Sequence, residues 1–261
     1  MIPSLFIAHG APSLVIEQNG YTRFLEELGT RMPRPRAIVL FSAHWEAPVQ
    51  MISGVDRYVT IHDFSGFSPE LYRIVYPVKG NVALAEEIAS LFRANDISCR
   101  LDGTRGLDHG AWVVLRLLYP EADIPVVAMS VNPHLAPEEQ YRLGKSLAPL
   151  KKKGVLIIGS GGTVHNLRLL DWKRDKEEKE AGAHWAGQFD DWLQKQIMDW
   201  NTGELFCYEE RAPHADRAVP TKEHFVPLLI AMGVGDERRQ GKRLYHRFQF
   251  GTLSLSCWQF A

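Results

Sequence analysis

Cysteine is scarce in this chain: three occur in 261 residues, Cys99, Cys207 and Cys257. They lie far apart, their number is odd and no CxxC spacing occurs, so neither a disulfide framework nor a cysteine zinc site is indicated. A reducing compartment fits that usage best. Long apolar runs are missing too, and none approaches the about 18 residues a membrane helix needs. The opening MIPSLFIAHG has no basic stretch and no small-residue cleavage site of a secretory leader, so a soluble, cytoplasmic protein is expected. Charge of one sign is not in excess either. Lys and Arg total 30 against 31 Asp and Glu, a net −1, whereas a nucleic-acid surface normally shows a clustered basic surplus. The one basic run, 151–153, ends a helix-like segment, where cations suit the dipole. Residues 173–180 (KRDKEEKE) mix signs and read as an exposed loop or a helix start. No linker, repeat or low-complexity tract divides the chain. Residues 1–261 therefore read as one α/β domain whose core needs no staples.

What is present is a repeated unit in which an apolar strand runs into a histidine. Residues 155–158 (VLII) read as a strand buried on both faces, 159–162 (GSGG) as a sharp exit, and His165 as the first large polar group beyond it. Residues 4–8 run into His9, and 37–43 (AIVLFSA) run into His44. Ligands of open α/β sheets sit outside the carboxyl ends of the strands. If these strands are parallel neighbours, their histidines gather at one rim.

The intervening pattern is βα. Helical spacing covers 21–31, 81–94, 111–118 and 137–152, with His109 at or near the start of the third; further strands are expected at 49–53, 97–101 and 124–131. Residues 184–200 carry a helical stripe of Trp185, Phe189, Trp192 and Ile197, and a helix-like segment begins near Thr221. Residues 247–257 alternate as one more strand, antiparallel to its neighbour. The expected fold is a mainly parallel central sheet flanked by helices on both faces, plus an antiparallel C-terminal strand.

Ten histidines are present. His134, His184 and His246 have no companion signal and read as surface or packing residues. His9, His44 and His165 share their strand-end position, which points to a common site. Imidazole suits a first-row divalent metal such as zinc or iron better than magnesium or calcium. A phosphate cradle at 159–162 fails on detail, since neither GxGxxG nor a following Lys-Ser/Thr is present. Either His224 or Glu223 supplies a further ligand from a helix start, giving a site with open positions of the catalytic kind. Asp108 beside His109 either tunes that imidazole for proton transfer or caps the helix.

The pieces FIAHGAPS (6–13), SAHWE (42–46), TIHDFSGFSPELYRIVYP (60–77), LDHGAW (107–112), IPVVAMSVN (124–132), GSGGTVHNLR (159–168) and EHFVPLL (223–229) run in one order along nearly the whole chain. Together they resemble the class III extradiol aromatic ring-opening dioxygenases of the DOPA-4,5-dioxygenase type, in the LigB-like superfamily. The resemblance implies a non-haem Fe(II) enzyme that opens a catechol with O2, with Zn(II) as an occupant also met in such proteins. It implies His9, His44 and His224 as metal ligands and His165 as acid–base group. It implies substrate contact by His109 and by His62, Asp63 and Phe64. Other class III enzymes place a glutamate third, which keeps Glu223 in play beside His224. Two alternatives remain at this level: a chelatase-like metal-handling protein, since strand–His–Gly openings occur there, and a zinc hydrolase.

Overall fold

The structure is a computed structural model that describes residues 2–171, 179 and 181–261. Most of the 173–180 charge run therefore lies outside the described residues; Lys179 is exposed and pairs with Phe248. Eight strands form one sheet: β1 (Ser4–Ala8), β2 (Ala37–Glu46), β3 (Gln50–Ser53), β4 (Cys99–Asp102), β5 (Val126–Val131), β6 (Val155–Gly161), β7 (Gly241–Gln249) and β8 (Leu253–Phe260). Their order is β4-β3-β5-β2-β6-β1-β8-β7. The centre, β5-β2-β6-β1, is wholly parallel, and β8 and β7 add an antiparallel hairpin to β1.

The described helices are α1 (Gly20–Arg31), α2 (Val82–Ala94), α3 (His109–Leu118), α4 (Pro137–Ser146), α5 (His184–Met198), α6 (Thr202–Phe206), α7 (Tyr208–Arg211), α8 (Ala215–Ala218) and α9 (Val226–Val234). None is long and apolar enough to cross a membrane. Caps fix the starts of the first three. Asn19, Asn81 and Asp108 each accept a hydrogen bond from a backbone N–H of the opening turn. Alternation in the central strands then sorts side chains between two layers. Leu5, Ile7, Ile38, Leu40, Leu156 and Ile158 pack with α1 and α3. Val39, Phe41 and Ile157 pack with α2, α4 and α9, while Phe6 joins α5 and α9.

Several boundaries differ from the sequence expectations: the helix expected from near Thr221 begins only at Val226, and the strand expected over 37–43 runs on to Glu46. Helix 137–152 stops at Ser146, and a 3₁₀ turn over Ala148–Lys153 carries the chain to β6. β6 continues through Gly161, so the first three residues of GSGG are strand and the chain leaves the sheet only at Gly162. The alternating stretch 247–257 is two strands, because Phe250 and Gly251 take positive φ values of 50° and 80° and reverse the chain. The sequence does carry a sign of this. The apolar positions shift from even (Phe248, Phe250) to odd (Leu253, Leu255), which a continuous strand with one buried face does not do.

Candidate metal centre

The rim at the carboxyl ends of β1, β2 and β6 collects the histidines. His9 directly follows β1, and its N–H donates to Gly161 O at 3.1 Å. Tyr21 Oη steadies the same strand end by donating to Ala8 O at 2.7 Å. His44 lies inside β2, where the ladder to β5 loses register between Phe41 and Glu46. Such an irregularity re-aims side chains. His165 sits in the turn beyond β6, its N–H on Ala218 O.

The fourth histidine arrives from the opposite layer. His224 lies in the turn before α9, and the glycines of β6 make room for that turn. A Cβ on Gly159 would stand 2.1 Å from Pro227 O, and one on Gly161 would stand 2.1 Å from His224 O. Gly162 N–H donates to that same His224 oxygen at 2.8 Å. The GSGG run is thus a seat for the start of α9, neither a turn nor an anion cradle.

His44 Nε2 lies 3.1 Å from His9 Nε2 and 3.3 Å from His224 Nε2. Their Nδ1 atoms all face oxygen. Ser160 Oγ donates to Gly110 O at 2.5 Å, so it accepts from His9 Nδ1 at 3.1 Å. Glu223 Oε1 stands 2.8 Å from His224 Nδ1, and Asp63 Oδ2 stands 3.7 Å from His44 Nδ1. Hydrogen bonds place the proton on Nδ1 of His9 and His224, while at His44 the Asp63 carboxylate, beyond hydrogen-bond reach, favours Nδ1 protonation by its charge alone; the three Nε2 lone pairs are left facing one another. A cation resolves that repulsion. Nitrogens about 2.1 Å from a metal and 90–109° apart are separated by roughly 3.0–3.4 Å, so the donor set fits a divalent ion.

Electrostatics agree. Burial, then the neighbouring imidazoles, push the His9 pKa well below its ordinary value and that of His44 down to about 2, so both rings are neutral donors. Burial raises the Glu223 and Asp63 carboxyls. The His224 contact outweighs it at Glu223, aided by Thr221, and the His109 contact outweighs it at Asp63. Each carboxyl is held at about 2, hence ionised. Carboxylates behind ligating imidazoles are the usual outer support of a metal site.

His165 stacks on His224 with centroids 3.5 Å apart and planes 9° from parallel. Burial and His224 lower its pKa to about 3. His109 opens α3, its ring centroid 4.0 Å from that of His44. Asp108 is the helix cap, and its carboxylate also accepts from Ser42 Oγ at 2.6 Å and Arg105 at 3.0 Å. The carboxylate that meets His109 is Asp63: Oδ1 accepts from His109 N–H at 2.9 Å, and Oδ2 is 3.0 Å from Nδ1. Nothing in sequence spacing links residues 63 and 109. Asp63, His44 and His109 form a second cluster of metal-ligand type, but its carboxylate is already committed to His109.

A cavity of about 730 Å³ opens on these groups; His9, His44, His109, His165, His224, Asp63, Phe64 and Phe67 are on its wall. His62 is not. Its Nε2 meets Ile74 O at 3.0 Å, and its ring packs on Phe64, Tyr72 and Trp112, bracing the loop that presents Asp63 and Phe64. Sequence reasoning missed Ser160, which is fully buried, and the outer wall residues Arg168, Asp216 and Phe250. Arg168 stood in a quoted motif without a role.

Residues 3–255 match the family described as the catalytic LigB subunit of aromatic ring-opening dioxygenase. The chain belongs to this family. This LigB-family chain is 39% identical over 261 residues to the Beta vulgaris protein named 4,5-DOPA dioxygenase extradiol, covering 98% of this chain and 96% of that one. To the protein of the same name from Escherichia coli K12 it is 34% identical over 256 residues, covering 97% and 93%. The crystal structure of an uncharacterized Escherichia coli K12 protein is similar with a TM-score of 0.83 and 31% identity over 100% of both chains. The LigB-family chain is therefore an aromatic ring-opening dioxygenase, a class that takes a small-molecule substrate, O2 and a metal. Chelatase-like and hydrolase readings do not survive that membership.

Proposed function

We propose that this dioxygenase opens the ring of a DOPA-like catechol by extradiol cleavage, with Fe(II) as working metal held by His9, His44 and His224. The observation that carries the reading is the convergence of three bare Nε2 atoms at 3.1 and 3.3 Å on a cavity that also holds His165 and His109. Bound there, Fe(II) supplies Lewis acidity and redox access, whereas Zn(II) supplies only the first and is the expected non-working occupant of purified protein.

The chain's own groups do the rest. His165 is neutral at rest, so it accepts a proton from a catechol hydroxyl and later returns it to oxygen. His109, its Nδ1 turned to Asp63, leaves Nε2 as acceptor for a substrate hydroxyl. Asp63 thereby acts on substrate through His109, and His62 acts by holding the loop. Phe64 and Phe67 supply an aromatic wall for a planar ring. Glu223 orients His224 and is not itself a ligand. Residues 1–261 work as one catalytic domain in this reading, which the single eight-stranded sheet supports.

The test is anaerobic loading with Fe(II), addition of a catechol, then air. A yellow semialdehyde with stoichiometric oxygen uptake is expected. No uptake across a panel of catechols overturns the proposal.

A further inference from the structure

Among the described residues the cavity wall carries four charged side chains of fixed sign, and two of them are already engaged. Asp63 is held by His109 and Glu223 by His224 and Thr221. The other two, Arg168 and Asp216, are exposed on the outer wall. Among the described residues, neither the Arg168 guanidinium nor the Asp216 carboxylate has a hydrogen bond or ion pair, and they are not paired with each other. Among the described residues, Arg168 is also the one Lys or Arg on that wall.

Their backbones are tied together. Asn166 Oδ1 accepts from Arg168 N–H at 3.2 Å while Asn166 Nδ2 donates to Arg217 O at 2.9 Å. One residue to either side, His165 N–H donates to Ala218 O at 2.9 Å. The segment bearing Arg168 and α8, which bears Asp216, are thus stitched into one platform beside the acid–base histidine. Asn166 is itself buried, so the stitch is part of the fold. Opposite charges that share a wall without meeting leave a slot for a ligand carrying both signs. Arginine's planar fork matches a carboxylate, and a lone carboxylate matches an ammonium. Leu167, Leu170 and Leu253 nearby offer apolar cover for the carbon chain between those charges and a ring.

We propose that Arg168 and Asp216 form a subsite for the carboxylate and ammonium of an α-amino-acid side chain borne by the catechol. The proposal rests on the ring-opening reading of the metal site and adds to it what selects the substrate.

Anaerobic calorimetry on Fe(II)-loaded protein reads binding without turnover, with L-DOPA, dopamine, 3,4-dihydroxyphenylpropionate and 4-methylcatechol as probes. L-DOPA is expected to bind tightest. In Arg168→Gln the L-DOPA to dopamine affinity ratio falls by about 3- to 30-fold, and in Asp216→Asn the L-DOPA to 3,4-dihydroxyphenylpropionate ratio falls comparably. Both positions are exposed, and matching thermal melts confirm that the variants fold. Ratios near one in the unaltered protein, or ratios unmoved by both substitutions, overturn the subsite while 4-methylcatechol binding and opening in air leave the ring-opening reading standing. If none of the four catechols binds anaerobically or is opened in air, the ring-opening reading falls and the subsite with it.

Discussion

The proton on Nδ1 decides what an imidazole can do with Nε2, and in this site a different oxygen sets that proton at each ring. Ser160 does it for His9 and Glu223 for His224 by hydrogen bonding, and at His44 the Asp63 carboxylate 3.7 Å away acts by charge alone. Glu223 therefore sits behind His224 rather than beside it, which separates two experiments. His224→Ala removes a donor atom and is expected to abolish stable metal binding. Glu223→Gln leaves the donor but weakens its orientation, and is expected to lower metal affinity by about 10- to 100-fold. Metal content after dialysis and a competitive chelator titration distinguish the two; equal loss in both variants would make Glu223 a ligand. His165 stacks on His224 without sharing the Nε2 cluster. His165→Ala is accordingly expected to keep its metal while turnover falls by roughly 10²–10⁴-fold. Metal loss in that variant would assign it to the wrong role.

At the scale of elements, the close approach of α9 to β6 is what brings His224 to the rim. An added methyl at Gly161 meets His224 O at 2.1 Å, and the clash is with backbone, which cannot rotate away. Gly161→Ala is expected to cost about 1–3 kcal/mol of stability and to weaken metal binding by shifting His224. Gly187 in α5 is the contrast: nothing lies within 4 Å of its Cβ position. Gly187→Ala is expected to raise stability by about 0.5–1 kcal/mol. Urea denaturation measures both, and a Gly161→Ala protein as stable as the unaltered one would remove the packing argument. The same contact shows where sequence reading stopped. The central strands and α1 to α3 were legible because burial on one or two faces imposes a period on the chain. The meaning of GSGG was not, because a glycine needed for a neighbour 60 residues away looks the same as one needed for a turn. β7 was silent for another reason. It is an edge strand with Lys242, Arg243 and Arg247 on it, and charge at an edge erases the apolar alternation. His9, His44 and His165 were readable from the apolar runs that precede them, although His44 lies inside β2 and not beyond it, whereas Asp63 reached His109 only through a loop that carries no period.

For the whole molecule, gathering neutral imidazoles in one buried place sets how the metal-free protein responds to acid. Unfolded histidine takes up a proton near pH 6.5. In the folded chain burial lowers the pKa of His9, that of His44 to about 2 and that of His165 to about 3. Below pH 6.5 the unfolded state therefore binds protons that the folded state refuses, and stability falls as pH falls. Each such group contributes up to about 1.4 kcal/mol per pH unit below that point. The supporting carboxylates act lower down. Glu223 and Asp63 are held at about 2, below their ordinary 4.5 and 3.8, so their stabilisation is intact above about pH 4.5 and is lost on further descent. The window from pH 6.5 to 5 thus isolates the histidines. Urea denaturation of the metal-free protein is expected to give a plateau above pH 7 and a loss of several kcal/mol by pH 5. A divalent ion that binds only the folded state adds stability at neutral pH, and protons compete with it across the same window. The metal-bound protein should then show the steeper decline of the two. A flat profile from pH 7 to 5 in the metal-free protein would mean that the imidazoles are not held neutral by burial, and the bare Nε2 cluster would lose its basis.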